Sequence, residues 1–288
     1  MILPDFVLPS RVNQCWEYSG MDSLSDCLDK THFKKYPHAI SYQYNSRGFR
    51  DQEWPQTLEE LKTAIWCVGD SFTVGLGSPM EHTWPGLLQK QTGQRIINVS
   101  MDGASNNWIA RHVKQIQDTV APETIVIMWS YLHRRESSNN LATDEERRLH
   151  SDAFSNDATD IDNFKQCVEL IDYSSNTIIE FSIPHYTEIG LENVALTWST
   201  LRGRDWPLAH PATPQQLLEL PEFVQQELKQ QFKIWTQFQQ VLELHYQLST
   251  LIDRIINVER LDLARDGHHF DLITAQWVVD QIVNRLNR

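Results

Sequence analysis

The sequence predicts an α/β protein, a three-layer α/β/α sandwich built on a five-stranded parallel sheet. Three observations lead to this prediction. Five short apolar runs alternate with stretches that have helical periodicity. The runs are apolar on both faces, which is typical of parallel strands covered by helices on either side. The chain has 288 residues, 41% of them hydrophobic and 22% charged, enough to bury a core of this kind.

The elements follow in order along the chain. The predicted strands are 64–68, 95–99, 124–129, 177–183 and 254–258. The predicted helices, which carry apolar residues at helical spacing, are 82–92, 106–120, 162–173 and 273–286. Residues 136–158 are polar and predict a loop. The Gln- and Leu-rich residues 214–250 predict a helical region that is interrupted near Pro221, and that either packs as a hairpin or forms the dimer surface of a homo-oligomer.

The first 60 residues differ from the rest because they are irregular and rich in aromatic residues. We expect residues 1–60 to form a preamble packed on a main domain of residues 61–288. Within the preamble, the segment 45–50 (Asn-Ser-Arg-Gly-Phe-Arg) predicts a turn, with Gly48 in a backbone conformation that suits glycine. This turn either only packs against the main domain or lines its site from outside.

Charge and composition exclude several classes of function. The net charge is −13 and no basic cluster is present, so nucleic-acid binding is disfavoured. No apolar run approaches the length of a membrane span, and the first residues lack the features of a signal peptide. These features predict a cytoplasmic protein with no membrane partner. The four cysteines form no CxxC pair, and Cys67, within a predicted strand, is expected to be a buried free thiol.

The segment after the first predicted strand carries the first candidate for chemistry. In open parallel sheets ligands bind at the carboxyl ends of the strands. Residues 69–77 read Gly-Asp-Ser-Phe-Thr-Val-Gly-Leu-Gly. A serine flanked by glycines at such a turn can expose its hydroxyl, and the glycines let a substrate approach the backbone. The alternative for Ser71 is an ordinary strand-to-helix turn with a serine cap.

Residues 69–75 resemble the nucleophile block of the SGNH/GDSL hydrolases, with Phe72 where that block often has leucine. The resemblance covers residues 64–285 through dispersed blocks. It implies a flavodoxin-like sandwich, a serine esterase activity, Ser71 as the nucleophile and no cofactor.

The last block of that family is Asp-x-x-His, and residues 266–269 read Asp-Gly-His-His. The resemblance implies that His269 takes the proton of Ser71 while Asp266 orients the imidazole. The pair Asp29–His32 has the same spacing, but it precedes the first strand. The neighbouring His268 is the alternative base.

The oxyanion-binding blocks match only in part. Gly103, in the segment after the second strand, matches the glycine whose backbone N–H contributes to the oxyanion hole. After the third strand the family expects Gly-x-Asn-Asp, whereas residues 129–134 read Trp-Ser-Tyr-Leu-His-Arg. Ser130 is the preferred substitute donor. Further candidates are Asn106, Asn107, Tyr131, His133 and Arg134.

Two of these candidates carry a second interpretation. Arg134 could grip an anionic substrate group, or it could form a structural salt bridge together with Glu136. Asn106 or its neighbour Ser105 is also expected to cap the helix that begins there.

The predicted function is therefore cleavage of carboxylic esters of small molecules or carbohydrates, for instance acetyl esters, through an acyl-serine intermediate. An acyltransferase or a non-hydrolytic carbohydrate-binding protein of the same fold is the alternative, because the third oxyanion donor is missing. No metal site is predicted, since His268, His269 and Asp266 lack the spacing of a zinc centre. Weaker pocket candidates are Trp129, His185, Trp198, Trp206 and His210.

Overall fold

The fold is that of a computed structural model, which describes residues 5–17, 40–132, 134, 157–184, 252–266 and 269–287. The helical region predicted at 214–250 and all but the last two residues of the loop predicted at 136–158 lie outside these ranges. Those two residues, 157 and 158, belong to a helix.

A five-stranded parallel sheet forms the centre of the protein, as the sequence predicts. Its strands are β3 (Ile65–Gly69), β4 (Ile96–Ser100), β5 (Thr124–Trp129), β6 (Thr177–Ser182) and β7 (Ile255–Asn257). They are arranged in the order β4-β3-β5-β6-β7, and every neighbouring pair is parallel. Strand β3, the first strand of this sheet along the chain, thus lies between β4 and β5. The connections from β3 and β5 leave in opposite directions, which opens a crevice at the carboxyl edge of the sheet.

Helices cover both faces of the sheet. They are α1 (Leu58–Thr63), α2 (Ser71–Val74), α3 (Trp84–Thr92), α4 (Asn106–Thr119), α5 (Asp157–Glu169) and α6 (Leu272–Leu286). Alternate residues of β3 point to opposite faces: Trp66 packs in one core with α4 and α5, and Cys67 in another with α3 and α6. The three-layer α/β/α sandwich predicted from the sequence is confirmed. Cys67 is buried and free.

Side-chain caps fix the first residue of two helices. Helix α3 begins at Trp84 instead of residue 82, because the Thr83 side chain accepts from the Gly86 N–H and caps the helix. Helix α4 begins at Asn106 because Ser105 caps it in the same way. Helix α5 ends at Glu169, four residues before its predicted end. None of the helices in the described ranges is long and apolar enough to cross a membrane.

The N-terminal segments pack against the main sheet. A two-stranded antiparallel pair joins β1 (Cys15–Trp16) to β2 (Tyr42–Gln43). Phe6, Leu8 and Phe49 belong to the same core cluster as β3. Gly48 has a φ of +82°, and a Cβ there would lie 2.3 Å from the Leu8 carbonyl oxygen. The turn expected at 45–50 therefore requires glycine at this position.

Arg50, the last residue of the same turn, is buried beneath the loop that follows β3. Arg50 is 1% exposed, and its guanidinium lies 4.3 Å from the centre of the Tyr42 ring. Its Nη1 donates to the carbonyl oxygens of Val74 (3.1 Å) and Gly75 (2.6 Å), and its Nη2 donates to that of Ser78 (2.9 Å). One cation thus satisfies three buried carbonyls and fixes the loop.

Replacing Arg50 by methionine, which keeps an apolar stem, should remove the Arg50 hydrogen bonds to all three carbonyls and leave that of Gly75 with only the Ser78 N–H at 3.3 Å. We expect Arg50→Met to lower the free energy of unfolding by about 2–4 kcal/mol. Urea denaturation followed by circular dichroism measures this change.

The matched control is Arg285→Met, since among the described residues Arg285 donates only to Gln281, within its own helix. That change should alter stability by no more than about 0.5 kcal/mol. Equal effects of the two substitutions would contradict the part assigned to Arg50.

Candidate active site

Ser71 follows the carboxyl end of the central strand β3 and is the first residue of the short helix α2. It is 3% exposed. The preceding residue, Asp70, caps the helix, because its Oδ1 accepts from the Phe72 N–H at 3.0 Å. Gly75 ends the helix in the left-handed conformation, with φ +74°. The turn therefore presents Ser71 at the crevice of the sheet, where the sequence predicts a nucleophile.

Asp266 and His269 form a buried hydrogen-bonded pair. The Oδ2 of Asp266 lies 2.5 Å from Nδ1 of His269, and its Oδ1 accepts from the His269 N–H at 3.0 Å. The Ala264 N–H donates to the His269 carbonyl oxygen at 2.8 Å and closes the loop. With Nδ1–H directed at the carboxylate, Nε2 is the ring nitrogen that carries the lone pair. This is the geometry of a histidine general base whose ring is oriented by a carboxylate.

Two contacts join this loop to the nucleophile turn. The ring of Phe72, next to Ser71, lies 4.6 Å from the ring of His269, centre to centre. The carbonyl oxygen of Gly77 accepts from the Arg265 N–H at 2.9 Å. Gly77 has φ +79°, and a Cβ there would lie 3.0 Å from the carboxylate of Asp266. Segments far apart in the chain thus meet in direct contact at one edge of the sheet.

The pKa of His269 reflects this environment. Burial lowers the pKa of the imidazole, because the charged form loses its hydration. The charge and the hydrogen bond of Asp266 raise the pKa, as do the charges of Asp102 and Asp70, and the net shift is above the ordinary value of 6.5. His269 is therefore a stronger base than a free imidazole.

A second buried carboxylate lies beside the nucleophile. Burial raises the pKa of Asp70, while the guanidinium of Arg134, the hydroxyl of Ser130 and the N–H of Phe72 lower it, and the net pKa is raised. The Oδ2 of Asp70 accepts from Ser130 Oγ at 2.8 Å and from Arg134 Nη1 at 2.9 Å. The same Nη1 lies 3.0 Å from Ser130 Oγ. Arg134 thus forms an ion pair, and its partner is Asp70.

Asn106 links this network to the start of helix α4. Its Oδ1 accepts from the Ser130 N–H at 2.9 Å, and its Nδ2 donates to the carbonyl oxygens of Ser130 (3.3 Å) and Tyr131 (3.1 Å). Its own N–H donates to the Arg134 carbonyl oxygen at 3.2 Å. The amide of Asn106 and the hydroxyl of Ser130 therefore bond to protein groups. Their part in an oxyanion hole stays a prediction.

Gly103 lies in the turn that follows β4, with φ +71°. This turn adjoins the nucleophile segment, because Ser100 pairs with Gly69 and the Met101 N–H donates to the Gly69 carbonyl oxygen. The structure thus brings Gly103 to the same edge of the sheet as Ser71. Its service as an oxyanion donor also stays a prediction.

Other sequence candidates have different outcomes. Trp129 is fully buried, and its Nε1 donates to Glu180 Oε1 at 2.9 Å, so it belongs to the core and does not line a pocket. His133, Glu136, His268, His185, Trp198, Trp206 and His210 lie outside the described residues. Within the described ranges, no three His, Cys, Asp or Glu side chains are grouped as metal ligands would be.

Sequence reasoning gave no role in the site to four residues that the structure shows to position it: Arg50, Asp70, Phe72 and Gly77. The third glycine of the 69–77 segment was visible in the sequence, and its spacing is the one feature that could have drawn attention to Gly77. For Arg50 and Asp70 nothing local distinguishes a buried ion from an exposed one.

Comparison with known proteins gives structural neighbours only. No family model and no curated protein matches the chain. A member of the lipolytic protein G-D-S-L family from Veillonella parvula is 13% identical over 78% of this chain and 99% of that chain, with a TM-score of 0.39. A lipase/acylhydrolase from Enterococcus faecalis is 13% identical over 78% of this chain and 95% of that chain, with a TM-score of 0.38.

A family two carbohydrate esterase from Clostridium thermocellum, solved in complex with cellohexaose, is 12% identical. The match covers 82% of this chain and 67% of that chain, with a TM-score of 0.39. All three neighbours are similar to this chain at 12–13% identity, with TM-scores of 0.38–0.39.

The contact between Asp266 and His269 allows a direct prediction about the basicity of the imidazole. Asp266→Asn removes the charge that raises the His269 pKa and leaves the burial that lowers it. The pKa of His269 should therefore be lower in the variant than in the wild type, where it lies above 6.5. NMR titration of isotopically labelled histidine measures both values.

His112 is the internal reference, since its Nδ1 bonds to the Trp108 carbonyl oxygen on helix α4. Its NMR signals should be the same in both proteins. An unchanged His269 pKa in Asp266→Asn would show that the pair is not formed in solution.

Proposed function

We propose that the protein is a serine hydrolase that cleaves carboxylic esters through an acyl-serine intermediate. The observation that carries this proposal is the buried Asp266–His269 pair, packed on Phe72 next to Ser71. A histidine of raised pKa, oriented by a carboxylate beside a serine at the carboxyl end of a central strand, is suited to activating that serine.

The reaction proceeds in two steps. The Ser71 Oγ attacks the ester carbonyl carbon while His269 Nε2 takes its proton, and the electron pair of the carbonyl moves onto oxygen. As the tetrahedral intermediate collapses, the bond to the alcohol breaks and His269 returns the proton to the leaving oxygen. Water then attacks the acyl-serine in the same way, which releases the acid and free Ser71. Asp266 keeps the imidazole oriented and stabilises its protonated form.

The oxyanion is assigned to the backbone N–H groups of Ser71 and Gly103. One such donor is typically worth roughly 10²–10³ in rate. Ser130 is the third candidate, but its hydroxyl donates to Asp70. To donate to an oxyanion it would have to rotate away from that carboxylate, with Arg134 left to hold Asp70.

The substrate class we propose is a neutral small-molecule or carbohydrate ester, such as an acetyl ester. The net charge of −13 disfavours polyanionic substrates.

A second candidate function is acyl transfer, or carbohydrate binding without hydrolysis. The engagement of both Ser130 and Asn106 by protein groups favours it, because fewer donors then remain for an oxyanion. Labelling by a fluorophosphonate probe separates the possibilities. Rapid labelling of Ser71 without ester hydrolysis would favour transfer, and absence of labelling would favour binding alone.

The central test is hydrolysis of a short-chain aryl ester by the wild type and by Ser71→Ala. We expect Ser71→Ala to lower kcat by about 10⁴-fold or more, because the nucleophile is lost. Fluorophosphonate labelling should be lost in the same variant. The control is Ser175→Ala, an exposed serine before β6, which should retain both activities. Equal rates for the wild type and Ser71→Ala would refute the proposal.

The pH profile provides an independent check. Only neutral His269 accepts the serine proton, so kcat/KM should be low at acid pH and rise as the imidazole deprotonates. Because the pKa of His269 is raised, the rise should be centred above pH 6.5. Rates measured between about pH 5 and pH 9 give this midpoint. A midpoint well below 6.5 would exclude His269 as the base in this environment.

A further inference from the structure

The residue whose placement goes furthest beyond the proposed reaction is Arg134. Its side chain is 23% exposed, and its guanidinium packs over the Tyr131 ring at 4.8 Å. Its backbone is fixed from both ends: the N–H donates to the Tyr131 carbonyl oxygen, and the carbonyl oxygen accepts from the Asn106 N–H. Arg134 is therefore held rigidly, with its Nη1 directed at Asp70.

The target of that guanidinium is directly coupled to the nucleophile. The side chain of Asp70 is completely buried, and a buried carboxylate is strongly destabilised unless donors or a cation compensate it. Its Oδ1 holds the Phe72 N–H and so fixes the first turn of α2, on which Ser71 is the first residue. Its Oδ2 depends on Ser130 and Arg134. Displacing the carboxylate would displace the turn that carries Ser71.

Of these partners, Arg134 is the one that carries a compensating charge. Ser130 and the Phe72 N–H are uncharged donors to the two oxygens of the carboxylate. All three hydrogen bonds are strengthened by the charge of the acceptor, but of the three donors the guanidinium alone adds the attraction of a full opposite charge. The ion pair with Arg134 is thus the main constraint on the Asp70 carboxylate.

We propose that Arg134 is a positioning residue for the nucleophile: acting through Asp70, it holds the turn that presents Ser71 to substrate. The proposal rests on the proposed hydrolase function and adds a residue to it. Arg134 acts on the reactivity of Ser71 and not on substrate binding. Its removal therefore lowers kcat and leaves KM nearly unchanged.

A double-mutant cycle tests this proposal on the full-length protein. The variants are Arg134→Gln, Asp70→Asn and the two combined, assayed by ester hydrolysis and by the rate of fluorophosphonate labelling of Ser71. We expect Arg134→Gln to lower kcat and the labelling rate by about 10²-fold, as small misplacements of reacting groups do. Because Arg134 acts through Asp70, the double variant should be no slower than the slower single variant.

A matched control separates positioning from loss of stability. Arg95 pairs with the buried Asp51 at 2.9 Å, with a side-chain exposure of 20% against 23% for Arg134. It lies just before β4, at the opposite end of the strand from the site. Arg95→Gln should therefore destabilise the fold comparably in thermal unfolding and leave the labelling rate of Ser71 unchanged.

A charge-conserving variant keeps the test decisive if Arg134→Gln does not fold. Arg134→Lys retains the cation without the planar fork, so its labelling should be measurably slower than that of the wild type, by up to about tenfold. A wild-type labelling rate in folded Arg134→Gln, or in Arg134→Lys if Arg134→Gln does not fold, would overturn the positioning role and leave the hydrolase function standing. Additive losses in the cycle, or losses confined to KM, would also overturn it. A wild type that neither labels nor hydrolyses would overturn the hydrolase function and the positioning role together.

Discussion

The carboxylate of Asp70 is the constraint around which the carboxyl edge of the sheet is organised. An anion with no solvent contact must find its donors within the protein, and these come from separate elements. The turn after β3 supplies the Phe72 N–H, and the segment after β5 supplies Ser130 and Arg134. Asn106 extends the network to helix α4 by accepting from the Ser130 N–H. Because β3 and β5 are neighbours whose connections diverge, the carboxylate ties together the two sides of the crevice in which Ser71 lies.

The Asp266–His269 loop depends on a different kind of contact, which is close packing. At Gly77 there is no room for a side chain, since a Cβ would lie 2.8 Å from that of Ala264 and 3.0 Å from the Asp266 carboxylate. The nucleophile segment and the loop that carries the base can approach only because this residue is glycine. Beneath the same segment, Arg50 satisfies three carbonyls from residues 74–78. The N-terminal residues therefore take part in the site through the backbone that they support.

The elements that could be predicted from the sequence are those marked by a local pattern of residues. The β-branched run 124–129 was recognised with its bounds, because a buried parallel strand is apolar on both faces. The pair Asp266 and His269 was predicted because the two residues are three positions apart on one turn and the family resemblance marked that spacing. The partner of Arg134 was not found. It lies 64 positions away at Asp70, and the neighbouring Glu136 was the only partner that local sequence could suggest. Burial of an ion is decided by tertiary contacts, so nothing in the residues around Asp70 distinguished it from an exposed cap.

The two buried carboxylates of the site act on the same imidazole with different strength. Asp266 bonds to His269 directly and raises its pKa more than the charges of Asp102 and Asp70 do. If Asp70 lost its cation, burial would drive it towards the neutral form, and its Oδ2 would then have to carry a proton where it now accepts two hydrogen bonds. The geometry of the nucleophile turn would then change, and so would the electrostatic field at His269. Arg134 holds Asp70 in place, so that one carboxylate fixes the nucleophile turn and another orients the imidazole.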